Sequence, residues 1–318
     1  MGRTIKFGLQ QPRFQFPSDD GLFQVVKRTA QEAEALGFDS FWLMDHFFQI
    51  PGVGRPEEPL MEGWTTLAAL AASTSRIRLA TLCTSNAYRN PALLAKMGAT
   101  LDVISGGRLI MGIGGGWYQQ EFDAYGIPFL PVGQRLRRLE EGVQIIHKMW
   151  TEEAPDFQGR YYAIKGARCN PPPIQKPRPP ILIGGGGEKL TLRLVAKYAD
   201  MCNIFGDVAT SRRKLQVLGE HCAQVGRDPS AIVKSRLGTI VIARNETELL
   251  DKLTRLCPPG MTPDVYRQRV MAGTPSQCIQ ACHELVDAGL EYLIFNMPDS
   301  YDADALRLFA HEVMPAFQ

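Results

Sequence analysis

The chain has 318 residues, 45% hydrophobic and 21% charged, with a net charge of +2. That balance excludes a nucleic-acid or membrane-surface binder built on a basic face, and no apolar run reaches the length that spans a bilayer. The seven cysteines, an odd number with no Cys-x-x-Cys, exclude a disulfide framework.

The N-terminus has one basic residue and then a strand-like stretch at 5–10. It shows no apolar signal core, so a cytoplasmic protein is expected. Helix 22–36 follows, with Ser18, Asp19 and Asp20 as its start signal and Gly37 as its stop. Next come strand 40–44, helix 64–73, strand 77–83, helix 91–104, strand 108–113 and helix 134–150. An insertion after this fourth helix, 154–176, carries Tyr161-Tyr162-Ala163-Ile164 and then three prolines. It predicts a small hairpin and an extended loop. Strand 181–184, helix 189–198, strand 201–205, helix 211–225, strand 232–243 and helix 246–256 resume the rhythm. A second insertion, 258–271, opens with Pro258-Pro259-Gly260. Helix 275–288, strand 292–297 and helix 303–313 end the chain.

Strands alternating with helices argue for a parallel sheet. Consecutive apolar positions such as Ile181-Leu182-Ile183 read as a strand covered on both faces. The length suits a closed (β/α)8 TIM barrel, one domain over 1–318. An open doubly wound sheet is the alternative.

In a parallel barrel, chemistry sits just beyond the strands' C-terminal ends. After the second strand stand Asp45 and His46, a carboxylate and an imidazole able to bind and to move protons; a rim histidine with a structural hydrogen bond is the plain alternative. After the third strand comes Thr81-Leu82-Cys83-Thr84-Ser85-Asn86, small enough for a planar ring to approach the backbone. The fourth is followed by Gly112, Gly114, Gly115 and Gly116, and the fifth by Gly184, Gly185, Gly186 and Gly187. Glycines ahead of a helix expose N–H groups to an anion. Two such runs point to a phosphate-bearing ligand, although neither is a Walker loop or a dinucleotide fingerprint. No Gly-x-Ser-x-Gly elbow occurs. The carboxylate pairs at 57–58, 140–141 and 152–153, and His147, His221 and His311, read as surface or packing residues. Cys278, Cys282 and His283 share a predicted helix but lack the further ligand a tetrahedral metal site needs.

The motifs Phe41-Trp42-Leu43-Met44-Asp45-His46, Tyr88-Arg89-Asn90-Pro91, Asp102-Val103-Ile104-Ser105-Gly106-Gly107-Arg108 and the two glycine runs occur in order along nearly the whole chain. Together they resemble the luciferase-like monooxygenase superfamily, and in its glycine runs the branch dependent on coenzyme F420, an 8-hydroxy-5-deazaflavin. The resemblance implies a cofactor ring at the strand mouths, with Asp45 and His46 beside it. Thr81, Leu82 and Cys83 would lie behind it, with a non-prolyl cis peptide at Thr81-Leu82 or, second, Leu82-Cys83. Gly112, Gly114 and Gly184 to Gly187 would meet its polar tail. Sugar-phosphate dehydrogenases of the family carry a glutamate where this chain has Gly115. The expectation is therefore a different substrate, the reduced cofactor as hydride donor, and His46 managing the proton. Trp42, Trp64 and Trp117 could line the substrate side, or simply pack. Two alternatives remain: a monooxygenase using reduced FMN on the same barrel, and a non-catalytic flavin- or deazaflavin-binding protein. The expected partners are a small molecule and a second copy in a homodimer, with neither nucleic acid nor membrane. Loops 47–63, 154–178 and 257–272 would choose the substrate.

Overall fold

Eight parallel strands, covered on both faces by apolar side chains, close into a barrel in this computed structural model, which describes residues 4–16, 20–258 and 260–318. They are β1 (Lys6–Gln11), β2 (Ser40–Leu43), β3 (Arg78–Thr81), β4 (Leu109–Gly114), β5 (Ile181–Gly184), β6 (Met201–Ile204), β7 (Val233–Ile242) and β8 (Tyr292–Asn296). Each pairs with the next, and β8 returns to β1 with Lys6 opposite Tyr292 and Gln10 opposite Asn296. Around them lie α1 (Leu22–Ala35), α2 (Gly63–Ala71), α3 (Pro91–Ser105), α4 (Val132–Thr151), α5 (Thr191–Tyr198), α6 (Val208–Gln224), α7 (Pro275–Asp287) and α8 (Ala303–Glu312). The open doubly wound sheet is thereby set aside. The start signal at Ser18 and Asp19, and Pro259 of the second insertion, lie outside the described residues.

Two cores follow from strands buried on both faces. Trp42, Ala80, Ile110, Leu182 and Ile294 fill the barrel's interior. Phe41, Leu79, Ile113 and Ile181 point the other way, into the layer between strands and helices. Trp42 is fully buried and its indole donates to Ser40 at 2.5 Å.

The predicted strand at 77–83 is interrupted. It stops at Thr81, the peptide Leu82-Cys83 is cis, and pairing with β4 resumes at Thr84–Ser85. The cis bond is therefore at the second of the two expected positions, not at Thr81-Leu82. The hairpin of the first insertion is present as Phe157–Gln158 against Ala163–Ile164. The second insertion holds a helix, Pro263–Arg269, beyond the breaker at Pro258: Thr262 caps it and Pro263 opens it, signals masked by the prolines upstream. A short helix, Gln119–Ala124, was also not anticipated.

The motif from Asp102 to Arg108 turns out to clamp the barrel's lower rim. Asp102 is fully buried, and its carboxylate accepts from the backbone N–H groups of Ile174 (2.8 Å) and Gln175 (3.0 Å) and from the Gln175 amide (2.7 Å). Arg108 donates to the carbonyls of Ala71, Thr74, Ile77 and Ser105. Asp102→Ala strands these buried donors, and is expected to lower unfolding free energy by about 3 kcal/mol in urea titration. A loss below about 0.5 kcal/mol would show the clamp to be idle.

Candidate active site

A cavity of about 440 Å³ opens at the C-terminal ends of β2 to β5. Asp45 and His46 form one wall, Leu82 and Cys83 the floor, and Gly114 and Gly115 a second side. Gly184, Gly185 and Gly187 close the third. Val132 and Leu136 of α4, with Trp117 and Phe205, give it a largely apolar rim. Three residues expected here do not line it. Thr81 is buried in the wall, its hydroxyl bonded to Thr84 (2.7 Å) and to the Gly112 carbonyl (3.1 Å). Gly112 lies deeper in β4, where a Cβ would come within 1.9 Å of the Thr81 oxygen. Gly186 sits beneath Lys214 instead.

His46 does not stand alone. Its Nδ1 lies 2.6 Å from Oε2 of Glu121, which is fully buried on the unanticipated helix Gln119–Ala124. The same oxygen accepts from the Tyr88 hydroxyl (2.7 Å), and Oε1 accepts from the Phe47 backbone N–H. Burial works to raise the Glu121 carboxyl, but these donors outweigh it and hold it below the usual carboxylate range. An ionised carboxylate only accepts, so Nδ1 carries the proton. Nε2, without a hydrogen-bond partner among the described residues, is left for the cavity. Burial and the Glu121 charge push the Tyr88 phenol well up, which keeps it a donor.

Asp45 is held differently. Its carboxylate receives a two-pronged bond from Arg89, at 2.7 and 3.0 Å, and Arg89 also pairs with Glu62. Burial raises the Asp45 carboxyl, with Arg89 opposing. Both of its oxygens are thus engaged behind the rim, which fits a residue that shapes the wall rather than one that transfers protons. Cys83 is also inert: burial pushes its thiol up to about 12.

The luciferase-like monooxygenase family model matches residues 10–265. The chain belongs to this family. A relative from Kineococcus radiotolerans, an F420-dependent glucose-6-phosphate dehydrogenase, is 29% identical, with 99% of this chain and 97% of that one covered. Among solved structures, the coenzyme F420-dependent tetrahydromethanopterin reductase of Methanopyrus kandleri superposes with a TM-score of 0.81 at 21% identity, covering 99% of this chain and 100% of that one. An F420-dependent secondary alcohol dehydrogenase gives 0.83 at 20% identity, with 99% of each covered. These two establish a shared fold.

The residues of this luciferase-like chain fit a flavin-sized group. The cavity is of ligand size and mostly apolar. Gly184 is part of the cradle: a Cβ there would fall 2.3 Å from the Cys83 sulfur. At the outer end Lys214 lies against Gly186, whose Cβ would sit 2.1 Å from Nζ. Among the described residues Lys214 makes no ion pair; its amine reaches only the Phe205 carbonyl at 3.5 Å. Lys214 thus brings a positive charge to the edge of the glycine run, where the Gly185 N–H is already bonded to the Asn203 carbonyl at 3.0 Å. The sequence offered no signal for Lys214, which lies against the glycine run from α6, or for Glu121, which stands behind His46 on its short helix. Trp42 and Trp64 prove to be core residues, the latter donating to Thr84 at 2.8 Å, whereas Trp117 is 57% exposed on the rim.

Proposed function

We propose that this chain is an oxidoreductase that transfers a hydride between coenzyme F420 and a small organic substrate, drawing on the reduced cofactor. The observation that carries the reading is the His46–Glu121 pair, set at the wall of a cavity whose far side is glycine. The dependence of the relatives on F420 supports the same cofactor. Bound there, a deazaflavin supplies the hydride from carbon five and reacts poorly with oxygen.

The chain's own groups divide the remaining work. Leu82 and Cys83 back the ring, and the glycine run with Lys214 holds the anionic tail. Trp117 and Phe205 cover the mouth against water. In its imidazolium form, which the Glu121 carboxylate stabilises, His46 gives the proton on Nε2 to the substrate atom that gains negative charge and is left as the Nδ1–H imidazole, its ring fixed by Glu121. Glu121 provides the carboxylate that Gly115 lacks, but from behind the histidine. It does not touch the substrate, which favours a substrate other than a sugar phosphate.

Titration with F420 and with FMN, followed by quenching of cofactor fluorescence, tests the reading. F420 is expected to saturate the protein at lower concentration, and preference for FMN would sink the deazaflavin reading in favour of the monooxygenase. Lys214→Ala is expected to raise the F420 dissociation constant about tenfold, as loss of one charged hydrogen bond does; an unchanged constant would remove Lys214 from the tail site.

A further inference from the structure

A second cavity, of about 530 Å³, adjoins the first across His46, Leu82, Trp117 and Phe205. It lies over the ends of β1, β7 and β8, opposite the glycine runs. Its charge is one-sided. Arg236 and Arg269 line it, and no aspartate or glutamate does. Among the described residues neither guanidinium makes an ion pair. Arg236, on β7, donates Nε to the Gly206 carbonyl at 2.8 Å, which fixes the group and leaves its terminal nitrogens available. Gly238 makes room for it: a Cβ there would stand 2.4 Å from Nη1. Arg269 ends the helix of the second insertion and reaches the same cavity from outside the barrel. Two acids, Asp207 and Glu284, line the groove on the other side of the two arginines, and Asp207 is occupied in capping α6 at Thr210.

The rest of the wall narrows the ligand further. Met44, Ile50, Val53, Leu82 and Leu237 are apolar. A polyhydroxylated body would leave its hydroxyls unpaired against them, at a cost of about 1–3 kcal/mol for each buried group. At the end of β8, Oδ1 of Asn296 is buried with no hydrogen-bond partner among the described residues, and Asn296 lines this cavity beside Gln10 and Thr239. An orphaned acceptor on a cavity-lining residue fits a ligand that brings a donor.

We infer that this cavity is the substrate subsite, and that it takes an organic carboxylate with an apolar body, its anionic group on Arg236 and Arg269 and its reacting end toward His46 and Asn296. Paired guanidinium forks suit a carboxylate, and an unopposed positive pair favours capture of an anion. The inference deepens the proposed hydride-transfer function and names the class of substrate it acts on. It also gives the second insertion a purpose: its helix carries one of the two arginines.

The experiment measures binding to the full chain without cofactor, so that it does not depend on turnover. Octanoate, octanol and glucose 6-phosphate are titrated separately, reading tryptophan fluorescence, to which Trp117 on the shared rim contributes, and confirming by calorimetry. Octanoate is expected to bind at least about tenfold tighter than octanol, the worth of one charge-assisted bond. Arg269→Ala, at an exposed helix end, is expected to fold normally and to lose about that factor for octanoate alone. Arg236→Gln keeps the side chain's length and is expected to do the same. Equal binding of octanoate and octanol, or octanoate affinity unchanged in both variants, would overturn the inference. So would tighter binding of glucose 6-phosphate than of octanoate, which would make the site one for a sugar phosphate. The parallel F420 titration separates the two proposals: octanoate binding without F420 binding would sink the cofactor reading and keep this subsite, and the converse would do the reverse.

Discussion

His46→Ala is expected to slow hydride transfer at saturating cofactor by about 10²- to 10⁴-fold, the usual worth of a positioned general acid. Cofactor affinity should stay nearly constant, because His46 is one wall among several. The Glu121 carboxylate, bonded to Nδ1 at 2.6 Å, sets both the tautomer and the ring's orientation. Glu121→Gln tests that link. Three donors converge on its two oxygens, from His46, Tyr88 and the Phe47 backbone. A glutamine has only one accepting oxygen, so at least one donor would face an N–H group. The expected loss in kcat is about 10- to 100-fold, smaller than for the histidine because the imidazole remains. KM and the F420 dissociation constant should move little. If His46→Ala turns over at the native rate, the proton comes from elsewhere. If Glu121→Gln loses cofactor affinity instead of kcat, the carboxylate shapes the cavity and does not serve the histidine.

What the sequence made legible was set by how local each signal is. The eight strands and their helices are periodic over many residues, and each was anticipated within a few positions. The glycine runs and Asp45-His46 are likewise contiguous, and all but Thr81, Gly112 and Gly186 among the expected residues reach the cavity. Glu121 was missed for a physical reason. Its helix has only six residues, too short for a 3.6-residue period to show, and a glutamate beside Phe122 reads as its exposed neighbour. Only tertiary contacts reveal that both are fully buried. Lys214 and Arg236 were illegible in the same way. Each is one cation among 35, distinguished only by what it fails to pair with in space. The cis peptide fell one residue from the first expected position, since a four-residue strand does not announce where its ladder breaks.

The coupling between Gly184 and Cys83 offers a test of the cavity floor that needs no substrate. A Cβ at position 184 would meet the Cys83 sulfur at 2.3 Å and its Cβ at 3.5 Å. Something must shift, and Cys83 lines the cavity, so whichever atoms yield, the floor changes shape. Gly184→Ala is therefore expected to cost about 1–3 kcal/mol in stability, the range for overpacking a filled site, and to weaken F420 binding by about tenfold or more as the cradle distorts. Removing the sulfur should undo this. Cys83→Ala alone leaves a small void, with a modest loss in stability. The double variant Cys83→Ala, Gly184→Ala replaces the lost sulfur with the added methyl, and should be more stable than the sum of the single losses allows. A coupling energy of about 1 kcal/mol or more of this sign in urea unfolding would establish the contact. Additive losses would mean that the two side chains do not compete for the same space. A double variant that regains stability but not cofactor affinity would separate the packing of the floor from the binding of the ring.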